Sequence, residues 1–357
     1  VKIVGKAAGL VPCNSLLRAL VMVHSIGFFC GSSNAQQPLQ VVGERMLQAD
    51  IAGLGEESHG YATFNTLKAS IVSRLHEQRK DGALVFESSF TQGMAAYLLQ
   101  YPLDKRMEAW LYPFWNTPEV GRALQSFVTK EEEKQQPFLL GCDVQEDCRY
   151  VVFSQMLQQR QWVSRQRALL EKADSVLQYY IGADYSRAVM NEEEVHLLHG
   201  WYDSIAVEIR GTVADSLALL LVERCLQNRK WLCEYLSLKA SKKRMYFKDS
   251  IMAVIVLWLK EHLFNKSPVW IWAANSHVAR RKLEGKAPQW MGEWLQANPH
   301  YSYYAAGLQR GGQKRKERPG NTPVYDIRFS SQGKFDAVIF HPSPQKIAAS
   351  QWKTRCP

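Results

Sequence analysis

Four short apolar runs in this chain stop abruptly at polar residues, a pattern that predicts buried strands with reactive groups at their ends. They are residues 51–54, ending at Gly55 and Glu56; 83–86, ending at Glu87; 138–140, ending at Gly141, Cys142 and Asp143; and 269–273, ending toward Asn275 and His277. Two later runs, 303–308 and 337–340, complete the expected sheet. Between the runs the period changes. Phe64, Leu67, Ile71 and Leu75 recur at helical spacing across residues 63–78, and another helix is expected over 92–99. This alternation predicts an α/β fold with a largely parallel sheet flanked by helices.

From about residue 150 to 238 strand signals vanish and long polar–apolar helices take over. Residues 207–238 read as one helix carrying Leu217, Leu220, Leu221, Cys225 and Leu232. An all-helical cap over 151–245 is therefore expected, inserted between two parts of one core, 36–150 and 246–357, and able to act as a lid. At the N-terminus, Lys2, Lys6 and Arg18 surround or precede an apolar run at 19–30, followed by the small-residue exit Ser33-Asn-Ala35. That is the order of a secretory signal over 1–35, which predicts an exported, periplasmic or secreted protein. The alternative is a buried N-terminal helix in a cytoplasmic protein. Elsewhere the longest apolar run, 251–259, is far short of the about 20 residues a bilayer requires, so no stable membrane insertion is expected.

Composition changes this picture little. A chain of 357 residues with 46% hydrophobic and 22% charged residues can bury a large core without staples. The formal charge is +10, but the one dense basic run, residues 310–318 with Lys314, Arg315 and Lys316, has no interleaved aromatics. It reads as a solvated loop, and no nucleic-acid partner is expected. Seven cysteines at irregular spacing do not make a disulfide framework. Free, partly buried thiols are expected, with a Cys142–Cys148 pair in an oxidising compartment as the alternative. No Cys-x-x-Cys occurs, which argues against a zinc ribbon.

Ligands of open parallel sheets bind at the C-terminal edge of the strands. The predicted strands place Glu56, His59, Glu87, Asp143, Asn275 and His277 there. Each has a bland reading. Glu56 and Glu57 could favour a helix start through its dipole. Asp143 could be a turn residue, Asn275 a cap, and His277 a satisfied structural histidine. The glycines of Gly53-Leu-Gly55 let the chain leave the strand tightly. Glu87 is the hardest to explain blandly, because a carboxylate at the end of an apolar strand is expensive to desolvate and needs a partner. His59 and Lys68 are the candidates. Arg280 and Arg281 could serve the site or only the surface. Four strand ends bearing carboxylates or imidazoles together are the best argument for a site.

Gly53-Leu-Gly-Glu-Glu-Ser-His-Gly60, with Phe64 and Lys68 after it, resembles the first sequence block of the erythromycin esterase family. Leu84-Val-Phe-Glu87 resembles its second block, a strand ending in glutamate. Lys248-Asp-Ser-Ile-Met-Ala253 is similar to the family's Arg-Asp-x-x-Met-Ala helix start. The stretch from Trp272 to Arg280 is similar to Trp-Ala-His-Asn-x-His-Val-Ala-Arg, and Phe335-Asp-Ala-Val-Ile-Phe340 to the closing strand. The resemblance implies an α/β core, a helical subdomain and a cleft between them. It also implies ester or macrolide lactone hydrolysis by a histidine-activated water, with carboxylates and a basic residue in support and no cofactor required. The chain departs from the family pattern in three places. Lys68 and Lys248 stand where arginine is usual, keeping the charge but losing the planar fork. Ala274 replaces the first histidine of His-Asn-x-His.

The resulting expectation is a hydrolase of a small-molecule ester or lactone. His59 or His277 acts as general base, Glu87 orients it, and Glu56 holds the water or the imidazolium. Lys68 or Lys248 meets the developing oxyanion, with Asp249, Asn275, Asp143 and Arg280 in support. No Gly-x-Ser-x-Gly elbow is present, which argues against a serine nucleophile. Two rivals remain. Glu56, His59, Glu87 and His277 could form a mixed nitrogen–oxygen metal site. Alternatively, the replacements at 68, 248 and 274 could mark a member that binds its ligand without turnover.

Overall fold

The computed structural model describes residues 36–146, 151–182, 189–239, 242–280, 287–311, 326–329, 333–341 and 344–347. The expected signal over 1–35, Cys148, Arg281 and most of the basic run lie outside these residues. Cys142 is a buried free thiol whose Sγ donates to the Phe86 carbonyl at 3.3 Å. No described helix is long and apolar enough to cross a membrane.

Seven strands form one sheet: β1 (Ile51–Glu56), β2 (Ala83–Ser89), β3 (Leu139–Asp143), β4 (Val269–Ala274), β5 (Tyr303–Arg310), β6 (Asp326–Phe329) and β7 (Ala337–His341). Their order is β3-β2-β4-β1-β5-β7-β6. All pairs are parallel except β6 with β7. Every residue of β1, β2 and β3 is buried. Strands covered on both faces need apolar side chains on both, hence continuous runs rather than alternation. The strands also run further than the apolar runs do. Glu56 and Asp143 are the last residues of β1 and β3, and Glu87 lies inside β2. The short antiparallel edge strand β6 was not expected; four residues paired on one side only leave little pattern to read.

The chain order explains how the site is assembled. β1, β2 and β3 come first, yet β4, some 130 residues downstream of β3's start, inserts between β2 and β1. Glu56 is therefore in register with Ala274, and Phe86 with Trp272. The first and last parts of the sequence share one edge. β1 must also be thin where the segment after β4 crosses it. Gly53 and Gly55 lie within the strand, and only Gly60 among the described glycines has positive φ. The first two are needed for space rather than for the turn expected of them. A Cβ at Gly53 would lie 2.6 Å from Tyr303 Oη, and one at Gly55 would overlap Asn275 Oδ1.

Helices cover the sheet: α1 (Gln36–Gln48), α2 (Ala62–Gln78), α3 (Phe90–Leu98), α4 (Leu103–Trp110) and α5 (Pro118–Lys134) belong to the first part. After β3 come only helices: α6 (Val151–Gln159), α7 (Arg167–Gly182), α8 (Glu192–Thr212), α9 (Ser216–Ser237) and α10 (Lys242–His262). The short α11 (Asn275–Val278) and α12 (Met291–Ala297) follow β4. The single helix expected over 207–238 is two, α8 and α9. Asp215 breaks it: its carboxylate accepts from the Ala218 N–H at 2.7 Å and caps α9, as a short acidic side chain does best. Residue 245 falls inside α10, so this helix continues through the point where the insertion was expected to end.

One buried cation ties the helical segment together. Arg229 on α9 is fully buried and bonds Asp174 on α7 at 2.7 Å and Glu146, just after β3, at 3.2 Å. Removing one partner of such a pair strands the other charge in a dry interior. Arg229→Leu should therefore destabilise the fold by about 3–5 kcal/mol, read as a lower urea midpoint with unchanged slope.

Candidate active site

After β1 the chain turns through Gly60 (φ 83) before α2 starts at Ala62. The turn brings His59 back onto the strand end, its Nδ1 2.8 Å from Glu56 Oε1. The Trp115 indole N–H donates to the same oxygen at 2.7 Å. Glu56 Oε2 faces Lys68 Nζ at 3.7 Å. Lys68 in turn donates to the Ala273 carbonyl at 3.1 Å and lies over the Trp272 ring. Burial pushes the Lys68 ammonium down to about 8, opposed by Glu56 and Glu87. Phe114 stacks on the His59 ring at 4.4 Å, and Trp115 meets its edge.

A second group forms around Glu87. Its Oε1 lies 2.9 Å from His277 Nε2 and 3.4 Å from Lys248 Nζ, and its Oε2 accepts from the Ala274 N–H at 2.9 Å. Lys248 also reaches Asp143 Oδ2 at 2.8 Å, where Tyr112 donates at 3.1 Å. His277 Nδ1 is 2.9 Å from both oxygens of Asp249, which is fixed by the Met291 N–H at 2.8 Å. Burial disfavours the charged form of His277, but Glu87 and Asp249 outweigh it and push its value up to about 10. Burial likewise would raise the Glu87 carboxyl; His277 first and Lys248 second hold it well below its ordinary value. Burial would strip the proton from Lys248, yet Asp143 and Glu87 raise its value instead.

The two histidines differ in kind. Carboxylates only accept, so Nδ1 of His59 carries the proton and Nε2 of the neutral ring keeps its lone pair. With 31% of its side chain exposed, His59 can reach solvent. His277, 12% exposed, has a carboxylate on each nitrogen and is an imidazolium at neutral pH. In that state both of its nitrogens already donate to carboxylates. General-base chemistry therefore fits His59, and His277 fits as a fixed positive charge.

Eight of the ten sequence-predicted residues converge in these two groups: Glu56, His59, Lys68, Glu87, Asp143, Lys248, Asp249 and His277. Their pairing differs from expectation in one respect. The partners of Glu87 are His277 and Lys248, whereas His59 and Lys68 pair with Glu56, because the crossing of β4 between β1 and β2 separates the two strand ends. The other two residues do different work. Asn275, the first residue of α11, donates to the Leu308 carbonyl at 2.9 Å and ties α11 to β5. Arg280 pairs with Asp336 at 2.6 Å, beside β7. Sequence reasoning missed Tyr112, Phe114 and Trp115, on the loop between α4 and α5. An aromatic-rich stretch before Thr117-Pro118 was the available signal, but nothing in it points to Glu56. The loop is held by Asn65, which donates to the Phe114 carbonyl at 2.7 Å.

The C-terminal edge of a mostly parallel sheet, where the acid–base groups gather here, is the usual place for a ligand or active site in an α/β protein. The chain belongs to the erythromycin esterase family, whose model matches residues 76–341. That span takes in Glu87, Asp143, Lys248, Asp249 and His277 and begins beyond Glu56, His59 and Lys68. A Bacillus subtilis (strain 168) protein named "Putative hydrolase YbfO" is 23% identical over 282 residues, covering 72% of this chain. The chain spans 60% of that relative's length. Among solved structures, a Bacillus cereus protein superposes with a TM-score of 0.57 at 16% identity, covering 89% of this chain and all of that one. The erythromycin esterase EreC, a histidine-to-asparagine mutant in its open conformation, gives 0.50 at 15% identity, over 88% of this chain and 82% of that one. At these identities the structures show a shared fold. The family and the curated relative support a hydrolase-like function.

The raised value of His277 has a stability consequence. Below its ordinary value of 6.5 both folded and unfolded chains hold the proton and the stabilisation is complete; it is lost as pH rises toward about 10. Lys68 acts oppositely between about 8 and its ordinary 10.5, where the unfolded chain holds more protons. Wild-type stability should therefore fall between pH 6.5 and 8. In His277→Gln this fall should be absent, as measured by urea unfolding across that range.

Proposed function

We propose that the protein hydrolyses a carboxylic ester or lactone of a small molecule by direct attack of water, with His59 as general base. The observation that supports this reading is the His59–Glu56 pair. Nδ1–H is held by a buried carboxylate, Nε2 is turned from it, and the ring is partly open to solvent. Water would give a proton to Nε2 as its oxygen attacks the carbonyl carbon, and the imidazolium would return that proton to the leaving alkoxide. Lys248 is the better oxyanion donor of the two lysines. Its Nζ has three donors, of which Asp143 and Glu87 take two. Lys68 is wholly buried against Glu56 and steadies it from behind. His277 holds Glu87 and adds positive charge. Trp115 is a positioning residue for Glu56.

The helical segment over 151–245 would serve as the cap that selects the substrate, and residues 1–35 would direct export. Macrolide lactones are the substrates the family name suggests. Ala274 and the two lysines set this chain apart and leave simpler esters as the alternative.

Mass spectrometry of reactions with macrolides and simple esters, with and without chelator, tests the reading. One substrate should gain the mass of a water or split into acid and alcohol, with chelator making no difference. His59→Ala should lower kcat by about 10²–10⁴-fold. Trp115→Phe, which removes one hydrogen bond to Glu56, should lower it by about 3–10-fold with KM little changed. Turnover unaffected by His59→Ala would overturn the mechanism. Saturable binding without turnover across the panel would favour the non-catalytic reading.

A further inference from the structure

A cavity of about 490 Å³ is lined by none of the residues of the two groups just described. α3 starts at the end of β2 and runs about 13 Å back along the sheet, while α5 ends just before β3 begins. Leu98 at the end of α3 and Glu131, Glu132 and Gln135 at the end of α5 line the cavity, which places it at the N-terminal edge of the sheet. Its size is ordinary for a small-molecule site.

Three helix C-termini converge on it. α3 ends at Leu98 and continues into Gln100 (φ 54); α5 is capped by Gln135 (φ 51); α6 ends at Gln159 and continues through Arg160 and Gln161 (φ 57). These are the only non-glycine residues with positive φ among those described. Glycine is usual at such a cap. The first two glutamines line the cavity, and the third lies between Arg160 and Trp162, which also line it. A helix C-terminus carries partial negative charge and favours cations. One cation is already there: the Arg160 guanidinium donates to the Leu98 carbonyl at the end of α3.

The lining charges agree. Arg106 is buried, and its two terminal nitrogens pair with Glu131, one of them also reaching the Leu139 carbonyl. That leaves Arg160 against Glu132 and Asp215. The start of α9 also faces the cavity, but Asp215 already caps it by accepting from the Ala218 N–H, which removes the obvious anion site. Tyr97, Tyr101 and Trp162 are aromatic residues of the lining, and the Arg106 guanidinium already lies over the Tyr97 ring, 5.6 Å from its centroid. Aromatic faces beside carboxylates and helix C-termini form the surround that holds a weakly hydrated cation.

We propose that this cavity is a second binding site, separate from the hydrolytic cleft, for an organic cation: an ammonium group carried on an aromatic or similarly sized apolar body. The site does not depend on the hydrolase reading. Calorimetric titration of the whole protein with benzyltrimethylammonium tests it, with benzoate and benzyl alcohol as the anionic and neutral counterparts. The cation should bind saturably at one site, about 10-fold or more tighter than benzyl alcohol. Benzoate should show no saturable heat. Tyr101→Leu and Glu132→Gln should each weaken the cation by about 3–10-fold, and Glu132→Gln keeps the side-chain volume should Tyr101→Leu fold poorly. Glu56→Gln, in the cleft, should leave binding unchanged. No saturable binding, equal binding of benzoate, indifference to Glu132→Gln in a folded protein, or loss of binding in Glu56→Gln would each overturn the proposal.

Discussion

Glu87 sits in a strand whose every residue is buried, next to the point where β4 crosses between β2 and β1. A carboxylate there is tolerable only if it is compensated, and its compensation draws on distant parts of the chain. The Ala274 N–H comes from the end of β4, His277 from the short helix α11 after it, and Lys248 from α10. Each compensator needs an anion of its own: Asp249 for His277, and Asp143 for Lys248. The result is an alternating chain of charges that spans three strand ends and one long helix. In a low-dielectric setting no member can be removed without leaving a partner exposed to the full cost of burial.

That constraint separates the roles of the two histidines. A ring with carboxylates on both nitrogens is held from both sides. A ring with a carboxylate on one nitrogen and a partly open side is oriented yet reachable from solvent. The aromatic loop from Tyr112 to Trp115 joins the two groups, since Tyr112 bonds Asp143 while Trp115 bonds Glu56 and Phe114 stacks on His59. One loop thus contacts both groups, and Asn65 anchors it to α2.

The opposite edge of the sheet follows a different electrostatic rule. At the C-terminal edge of the strands, buried carboxylates are matched by resident cations. At the N-terminal edge, helix C-termini and surface carboxylates face a cavity in which Arg106 is already matched, so the excess is negative. The helical segment takes part in both sheet edges. Gln145 after β3 bonds Tyr235 on α9, and the first turn of α9 lines that cavity.

The sequence by itself marked six of the seven strands through short apolar runs; in β1 to β4 burial on both faces leaves little freedom for polar residues, whereas β7 alternates buried and half-buried positions. It also marked the carboxylates and imidazoles at their ends, because a charge that interrupts such a run is conspicuous. Eight of the ten residues it singled out do meet. It did not determine which carboxylate serves which histidine. That depended on β4 inserting between strands that precede it by well over a hundred residues, a long-range choice with no local signal. The same applies to Trp115, whose partner is set by packing, and to Arg280, whose position beside a histidine motif suggested the site although its partner is Asp336. The break between α8 and α9 was legible in Asp215-Ser216 but was outweighed by the apolar spacing on either side. The edge strand β6, too short and one-sided to leave a pattern, was visible only once β7 gave it something to pair with.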